Sequence, residues 1–264
     1  AFVHDTSARV QSWGFNTLGA WSLQSRMWSF PVTPILDLGF TRPGFHWGDP
    51  FHPDMADLMR RSAEKKSRPY QRSPHRIGYF SDNERGWWNG PLYTVFIQRG
   101  PANHTKRRLV AFLRRWYGED WRAFVADFHT GALRSFDDLL LSQRFVPRLR
   151  AGGRGIDVIR AWTGVVAEHY YRLAHDAIRA ADPEALLLGD RLPIFYDPVA
   201  VKAMARWVDV ISVNYNPDTP DGWIAPYFFR GLRQLADKPV LITEWFYAAH
   251  ENNSGNRNNG HLMT

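Results

Sequence analysis

Apolar positions recur along the chain in two rhythms. Short apolar runs that end in polar groups lie at 15–21, 32–38, 77–80, 186–189, 209–214 and 239–243, and each reads as a buried strand leaving a sheet at its polar end. Between them the spacing changes to three and four. Ile159, Trp162, Val166, Tyr170, Leu173 and Ala177 give the clearest case, a helix over about 156–181 that Asp182-Pro183 stops. Further helices are predicted at 5–13, 54–66, 104–117, 121–127, 197–207 and 228–235. Strand and helix thus alternate, which points to an α/β fold with a parallel sheet covered by helices. Six strands are two short of a closed ring. The pattern therefore predicts a (β/α)8 TIM barrel that is incomplete in this chain, with barrel strands 1 and 8 missing. It predicts one truncated domain over 1–264, with a helical insertion after barrel strand 4 at about 85–185.

Two of the apolar runs end in glutamate. Ile77-Gly78-Tyr79-Phe80 passes into Ser81-Asp82-Asn83-Glu84, and Pro239-Val240-Leu241-Ile242-Thr243 passes into Glu244-Trp245. The carboxyl ends of barrel strands carry the chemistry, and glycoside hydrolysis needs two carboxylates facing one bond. The structural alternative for the same pair is a buried salt bridge with Arg191 or another arginine.

Composition sharpens this reading in three places. The 12 tryptophans exceed what a core of this size needs, and surplus aromatic faces suit a cleft that stacks sugar rings. The net charge of +7 invites a nucleic-acid reading, but the basic residues are scattered among helical segments, where solvated outer faces explain them; steering of an anionic polysaccharide is the other use for such charge. Cysteine is absent, which excludes disulfides and thiolate chemistry. His46 and His52 do not have a metal-ligand spacing, and there is no Gly-x-Ser-x-Gly elbow. Neither a metal nor a cofactor is implied. No run reaches the length of a membrane span.

Asn83-Glu84 and Glu244 resemble the acid/base and the nucleophile of the large clan of retaining (β/α)8 glycoside hydrolases. Within that clan, Gly14-Phe15-Asn16-Thr17-Leu18-Gly19-Ala20-Trp21-Ser22, Asp49-Pro50-Phe51-His52-Pro53 and Gly78-Tyr79-Phe80-Ser81-Asp82-Asn83-Glu84 most resemble the β-agarases. The resemblance implies double displacement on a galactose-containing poly- or oligosaccharide, with Glu84 as acid/base and Glu244 as nucleophile. By the same resemblance Asn83 would bond the sugar 2-hydroxyl and Tyr215 would donate to the nucleophile. Asn16, Trp21, His46, Trp47, Asp49 and His52 lie on loops expected over that barrel face, where they line subsites or simply cap helices. Trp87, Trp88 and Asn89 are expected to form a subsite wall. Asp190 and Arg191 form either an ion pair holding a loop or a substrate contact. Trp245 is either core or sugar platform. A polymeric substrate implies a secreted or periplasmic enzyme with no nucleic-acid or membrane partner. The alternatives are a β-galactosidase or other β-glycosidase of the same clan, and a non-catalytic carbohydrate-binding protein.

Overall fold

The computed structural model describes residues 2–22, 29–39, 48–193, 196–215 and 224–245, with the backbone of 248–249 and 262–263. In chain order the described elements are α1 (Phe2–Ser12), α2 (Met55–Ser67), β1 (Gly78–Tyr79), α3 (Asn89–Ile97), α4 (His104–Trp116), α5 (Trp121–Asp127) and β2 (Phe128–His129). Next come α6 (Phe136–Leu141), β3 (Arg148–Leu149), α7 (Gly155–Ala181), β4 (Leu186–Leu187), α8 (Pro198–Ala205) and β5 (Ile211–Asn214). The last are α9 (Pro226–Ala236), β6 (Val240–Glu244), β7 (Ala248–Ala249) and β8 (Leu262–Met263).

The six expected strands lie side by side, parallel and in sequence order. Leu18 bridges Val32, Val32 bridges Arg76, and Ile35 bridges Phe80. Gly78–Tyr79 then pairs with Leu186–Leu187, Leu192 bridges Val213, and β5 pairs with β6 from Ile211↔Val240 to Asn214↔Glu244. The runs at 15–21 and 32–38, expected as regular strands, are held by isolated bridges instead. Pro31 and Pro34 cannot donate to a ladder, so bonding passes to Thr33 N–H→Leu18 O and Leu36 N–H→Phe80 O. Among the described residues the sheet is open, with no closed ring.

Helices cover this sheet. On α7 five of the six residues at the predicted spacing are buried, Trp162 and Val166 completely, with Leu173 partly so, and its end is tied down where Asp182 accepts from the Tyr79 hydroxyl at 2.8 Å and pairs with Arg76 at 3.0 Å. The segment expected to be a helical insertion holds α3 to α7 and one antiparallel pair, β2 with β3. Two of its helices were not read from the sequence. α3 carries Pro91 in its first turn, where a proline costs little, and α6 is a six-residue helix capped by Ser135, too short to show a period.

Gly78 is fixed by close approach. A Cβ there would lie 2.3 Å from Leu186 O, a backbone atom of the paired strand. Gly78→Ala is therefore expected to destabilise the protein by roughly 1–3 kcal/mol, the usual range for overpacking. Chemical denaturation checks this, and an unchanged midpoint would contradict the tight pairing.

Candidate active site

Beyond Phe80 the chain turns sharply, and a buried polar layer holds the turn. Asp82 accepts from Gly39 N–H at 2.7 Å, from the Tyr170 hydroxyl at 2.6 Å and from Arg85 at 3.0 Å. Arg85 also donates to Gly39 O. Burial pushes the Asp82 carboxyl upward, against the pull of Arg85 and Tyr170. The neighbouring strand end repeats the device. Asp190, fully buried, accepts from the Tyr171 hydroxyl at 2.8 Å and from Trp87 Nε1 at 2.9 Å. Burial pushes its carboxyl up to about 6. Successive tyrosines of α7 thus anchor two successive strand ends.

On this base Glu84 and Arg191 both adopt left-handed backbone, with φ of 46° and 52°. Such geometry costs on the order of 1–3 kcal/mol for a non-glycine residue and persists only where neighbours enforce it. Here they do. Glu84 N–H donates to Asp190 O at 2.9 Å, and Arg191 N–H donates to Ser212 Oγ at 2.9 Å.

The side chains then converge. Asn214, the last residue of β5, donates from one amide nitrogen to Glu84 Oε1 at 2.9 Å and to Glu244 Oε2 at 3.2 Å. Those two oxygens are consequently at most about 6.1 Å apart, 2.9 and 3.2 Å laid end to end. Thr243 Oγ1 donates to Asn214 Oδ1 at 2.9 Å, which sets the amide so that its NH2 faces the carboxylates. Arg191 donates to Glu244 Oε2 at 3.0 Å, to Asn83 Oδ1 at 2.9 Å and to Thr243 O at 3.0 Å. Its guanidinium lies 4.2 Å from the Trp21 ring centroid, a cation–π contact. The Arg191 side chain is 3% exposed, whereas that of Glu244 is 42% exposed, so the carboxylate stands at the solvent edge of a buried cation.

The structure thus brings together Asn83, Glu84, Arg191, Glu244 and Trp21. The Arg191 ion pair weighed as an alternative for the glutamates is present, and it is made with Glu244. Other expectations are corrected. Asp190 is paired with Trp87 and Tyr171, not with Arg191. For Asp49 the helix-end alternative holds: it accepts from His104 N–H and Thr105 N–H at 2.9 and 2.8 Å in the first turn of α4, whose N-cap is Asn103. Trp87 is buried beneath the site rather than forming its wall, while Trp88 is partly exposed. Asn89 donates to Asp197, the cap of α8. The Tyr215 hydroxyl accepts from Ala225 N–H at 2.9 Å, and its ring packs on Phe228 and Phe229; its backbone N–H donates to Glu244 O, but among the described residues it is Asn214 and Arg191 that reach the Glu244 carboxylate. Asn16 and His52 are exposed and bond to Thr17 and Asp54 N–H. Trp245 is exposed, not core. His46 and Trp47 lie outside the described residues.

Asn214 was missed. Its signal was its place at the polar end of a buried strand, beside the tyrosine that was chosen instead. Asp82 and Arg85 were missed as supports, because nothing local marks a charge as buried. Among the described residues, no group of three or more His, Asp or Glu could hold a metal ion.

Comparison with known proteins follows the same direction. The chain is 27% identical over 281 residues to β-agarase A of Vibrio sp. (strain JT0107). It is a relative of a β-agarase. The match takes in 94% of this chain and 27% of the relative, so the chain spans little more than a quarter of that protein's length. Solved structures share the fold: an agarase (TM-score 0.74, 22% identity, 93% of this chain and 36% of that one) and an exo-β-agarase (0.72, 23%, 94% and 34%). A β-galactosidase from the psychrophilic Marinomonas ef1 follows at 0.64, with 13% identity, 91% of this chain and 45% of that one. These proteins carry TIM-barrel domains, and the parallel order of the sheet here agrees with that architecture. No family model matches the chain.

Asp190 gives a pH test of the buried layer. Between about pH 4 and pH 6 the folded protein holds a proton that the unfolded chain releases, so this group's contribution to stability falls as pH rises through that window. The slope is at most about 1.4 kcal/mol per pH unit. Asp190→Asn should remove that component of the slope in denaturant titrations across the window. An unchanged slope would mean that Asp190 is not a buried, raised carboxyl.

Proposed function

We propose that the chain is the catalytic part of a retaining β-glycoside hydrolase acting on an agar-type, galactose-containing poly- or oligosaccharide. The observation that carries the reading is the Asn214 amide bonded to both strand-end carboxylates. It limits their nearest described oxygens to a separation below the roughly 6.5–9.5 Å that leaves room for water in an inverting site. The relationship to a β-agarase supports the substrate class.

The chemistry runs in two steps. Glu84 protonates the glycosidic oxygen as Glu244 attacks the anomeric carbon from the opposite face, forming a glycosyl ester; Glu84 then takes a proton from water, which attacks the same carbon and frees Glu244. Arg191 fixes the orientation of Glu244 for in-line attack. Asn83 has its carbonyl taken by Arg191, so its NH2 is the part left to donate to the sugar 2-hydroxyl. Trp21, exposed and backed by Arg191, offers a face to a sugar ring.

The same reading extends to the architecture. Leu241 and Ile242 of β6 are apolar and exposed, which fits a sheet that continues into a (β/α)8 barrel, with residues 85–185 as an insertion after barrel strand 4. The polymeric substrate fits a secreted or periplasmic enzyme. Among the described residues no helix is long and apolar enough to cross a membrane. The likeness in fold to a β-galactosidase favours one second reading, action on β-galactosides other than agar.

Kinetics on agaro-oligosaccharides and aryl β-galactosides test this. Glu244→Ala should lower kcat by about 10⁴-fold or more on both. Glu84→Ala should cost roughly 10²–10⁴-fold on the natural glycoside and much less on an aryl glycoside whose leaving group needs no proton. Wild-type turnover in both variants would sink the mechanism, and sugar binding unaffected by either change with no hydrolysis by the parent would leave a carbohydrate-binding protein.

A further inference from the structure

Away from the strand ends, the outer helical layer carries a basic trench. Two adjoining cavities of about 500 and 520 Å³ share Phe51, Arg108, His169 and Arg172 as lining, so they form one elongated groove. The first runs between α7 and α8 and adds Lys202 and Arg206; the second adds Arg107 of α4. None of the residues gathered around Glu84 and Glu244 lines either one.

Its charge is concentrated. Several arginines elsewhere on the helices are neutralised locally, as in Arg114 with Asp137, Arg154 with Asp157 and Arg179 with Asp209. In the trench, Arg108, Arg172 and Lys202 have no carboxylate partner among the described residues. The one acid there, Glu168, is engaged by Trp207 Nε1 at 2.9 Å and by Arg206 at 3.5 Å. The floor is rigid. The His169 ring stacks on Phe51 at 4.2 Å and 11°, with Nε2–H donating to Pro50 O at 3.0 Å, and the Arg108 guanidinium lies 5.9 Å from the Phe51 ring. Burial holds the His169 imidazole below its ordinary value against the hydrogen bond to Pro50 O, and the charges of Arg172 and Arg108 add to the lowering.

We infer that this trench is a second, non-catalytic site that binds a sulfated galactan chain. Guanidinium groups match sulfate oxygens bidentately. A two-lobed open groove suits several sugar units in a row rather than one small ion. The choice of a galactan rests on the proposed substrate class, while the anionic character rests on the trench alone.

The test is calorimetric binding of a sulfated galactan oligosaccharide, a neutral agaro-oligosaccharide and dextran sulfate of matched charge, to the parent and to Arg108→Ala/Arg172→Ala. The parent should bind the sulfated galactan at least ten-fold more tightly than the other two. The double variant should lose at least ten-fold of that affinity, while its melting temperature and its turnover of an aryl β-galactoside stay as in the parent. Binding should also raise the His169 titration midpoint seen by NMR. Equal affinity for dextran sulfate, undiminished binding by the variant, or an unmoved His169 would overturn the proposal. Because these are binding readouts, they hold even if the protein hydrolyses nothing, and lost hydrolysis with intact binding would count against the catalytic reading alone.

Discussion

One buried cation organises the centre of this molecule. Arg191 leaves its strand in a left-handed turn, is almost wholly covered, and spends its guanidinium on Glu244, Asn83 and the Thr243 carbonyl. A buried charge is tolerated only when it is paired and hydrogen-bonded, and stripping one partner typically costs about 3–5 kcal/mol. The segments it ties together are thereby locked in register: its own, after β4, with the turn after β1 and the end of β6. Asn214 completes the arrangement from β5, because one amide nitrogen meets both glutamates. The ion pair and the proposed chemistry are two uses of one geometry. A structural bridge would gain nothing from leaving Glu244 at the solvent edge beside an exposed tryptophan.

Beneath that centre lies the layer that makes it rigid. Asp82 and Asp190 are buried carboxylates, and α7 supplies one partner to each, through Tyr170 and Tyr171. A helix that is long, regular and packed along its length is a stiff support, and it transmits its position to two strand ends at once. The strained backbone at Glu84 and Arg191 is held in place by the Asp190 carbonyl and the Ser212 hydroxyl. In this arrangement the cost of precise carboxylate placement is carried by polar burial away from the sugar, so the groups facing the cleft stay open to it.

The sequence made some of this legible and hid the rest, for physical reasons. Alternating apolar runs and three-to-four spacing located all six sheet segments and most helices, because burial leaves a periodic trace. The ladders at 15–21 and 32–38 were overdrawn because prolines interrupt donation without changing the apolar pattern. Glu84 and Glu244 were visible as polar ends of apolar runs, and so was Arg191 as a candidate partner. Asn214 and Asp82 were not singled out, since their roles depend on residues more than eighty positions distant or on neighbouring strands. Trp87 was assigned to the cleft by proximity along the chain, whereas the turn after Glu84 sends it inward; for Asp49 the loop pattern left subsite and helix end open, and its carboxylate binds the first turn of α4. Tyr215 shows the same limit, because alternation along β5 gives the carboxylates to Asn214 and turns its neighbour toward Phe228 and Phe229.

The central claim is that Glu244 forms a covalent bond to sugar while Glu84 moves the proton. Trapping with an activated 2-deoxy-2-fluoro-β-galactoside, followed by peptide mass spectrometry, tests it most directly, because the fluorine slows both formation and breakdown of the ester while the activated leaving group restores formation. The account predicts one sugar per protein, on Glu244. A label on another residue, or hydrolysis of β-galactosides by a protein that never becomes labelled, would contradict it.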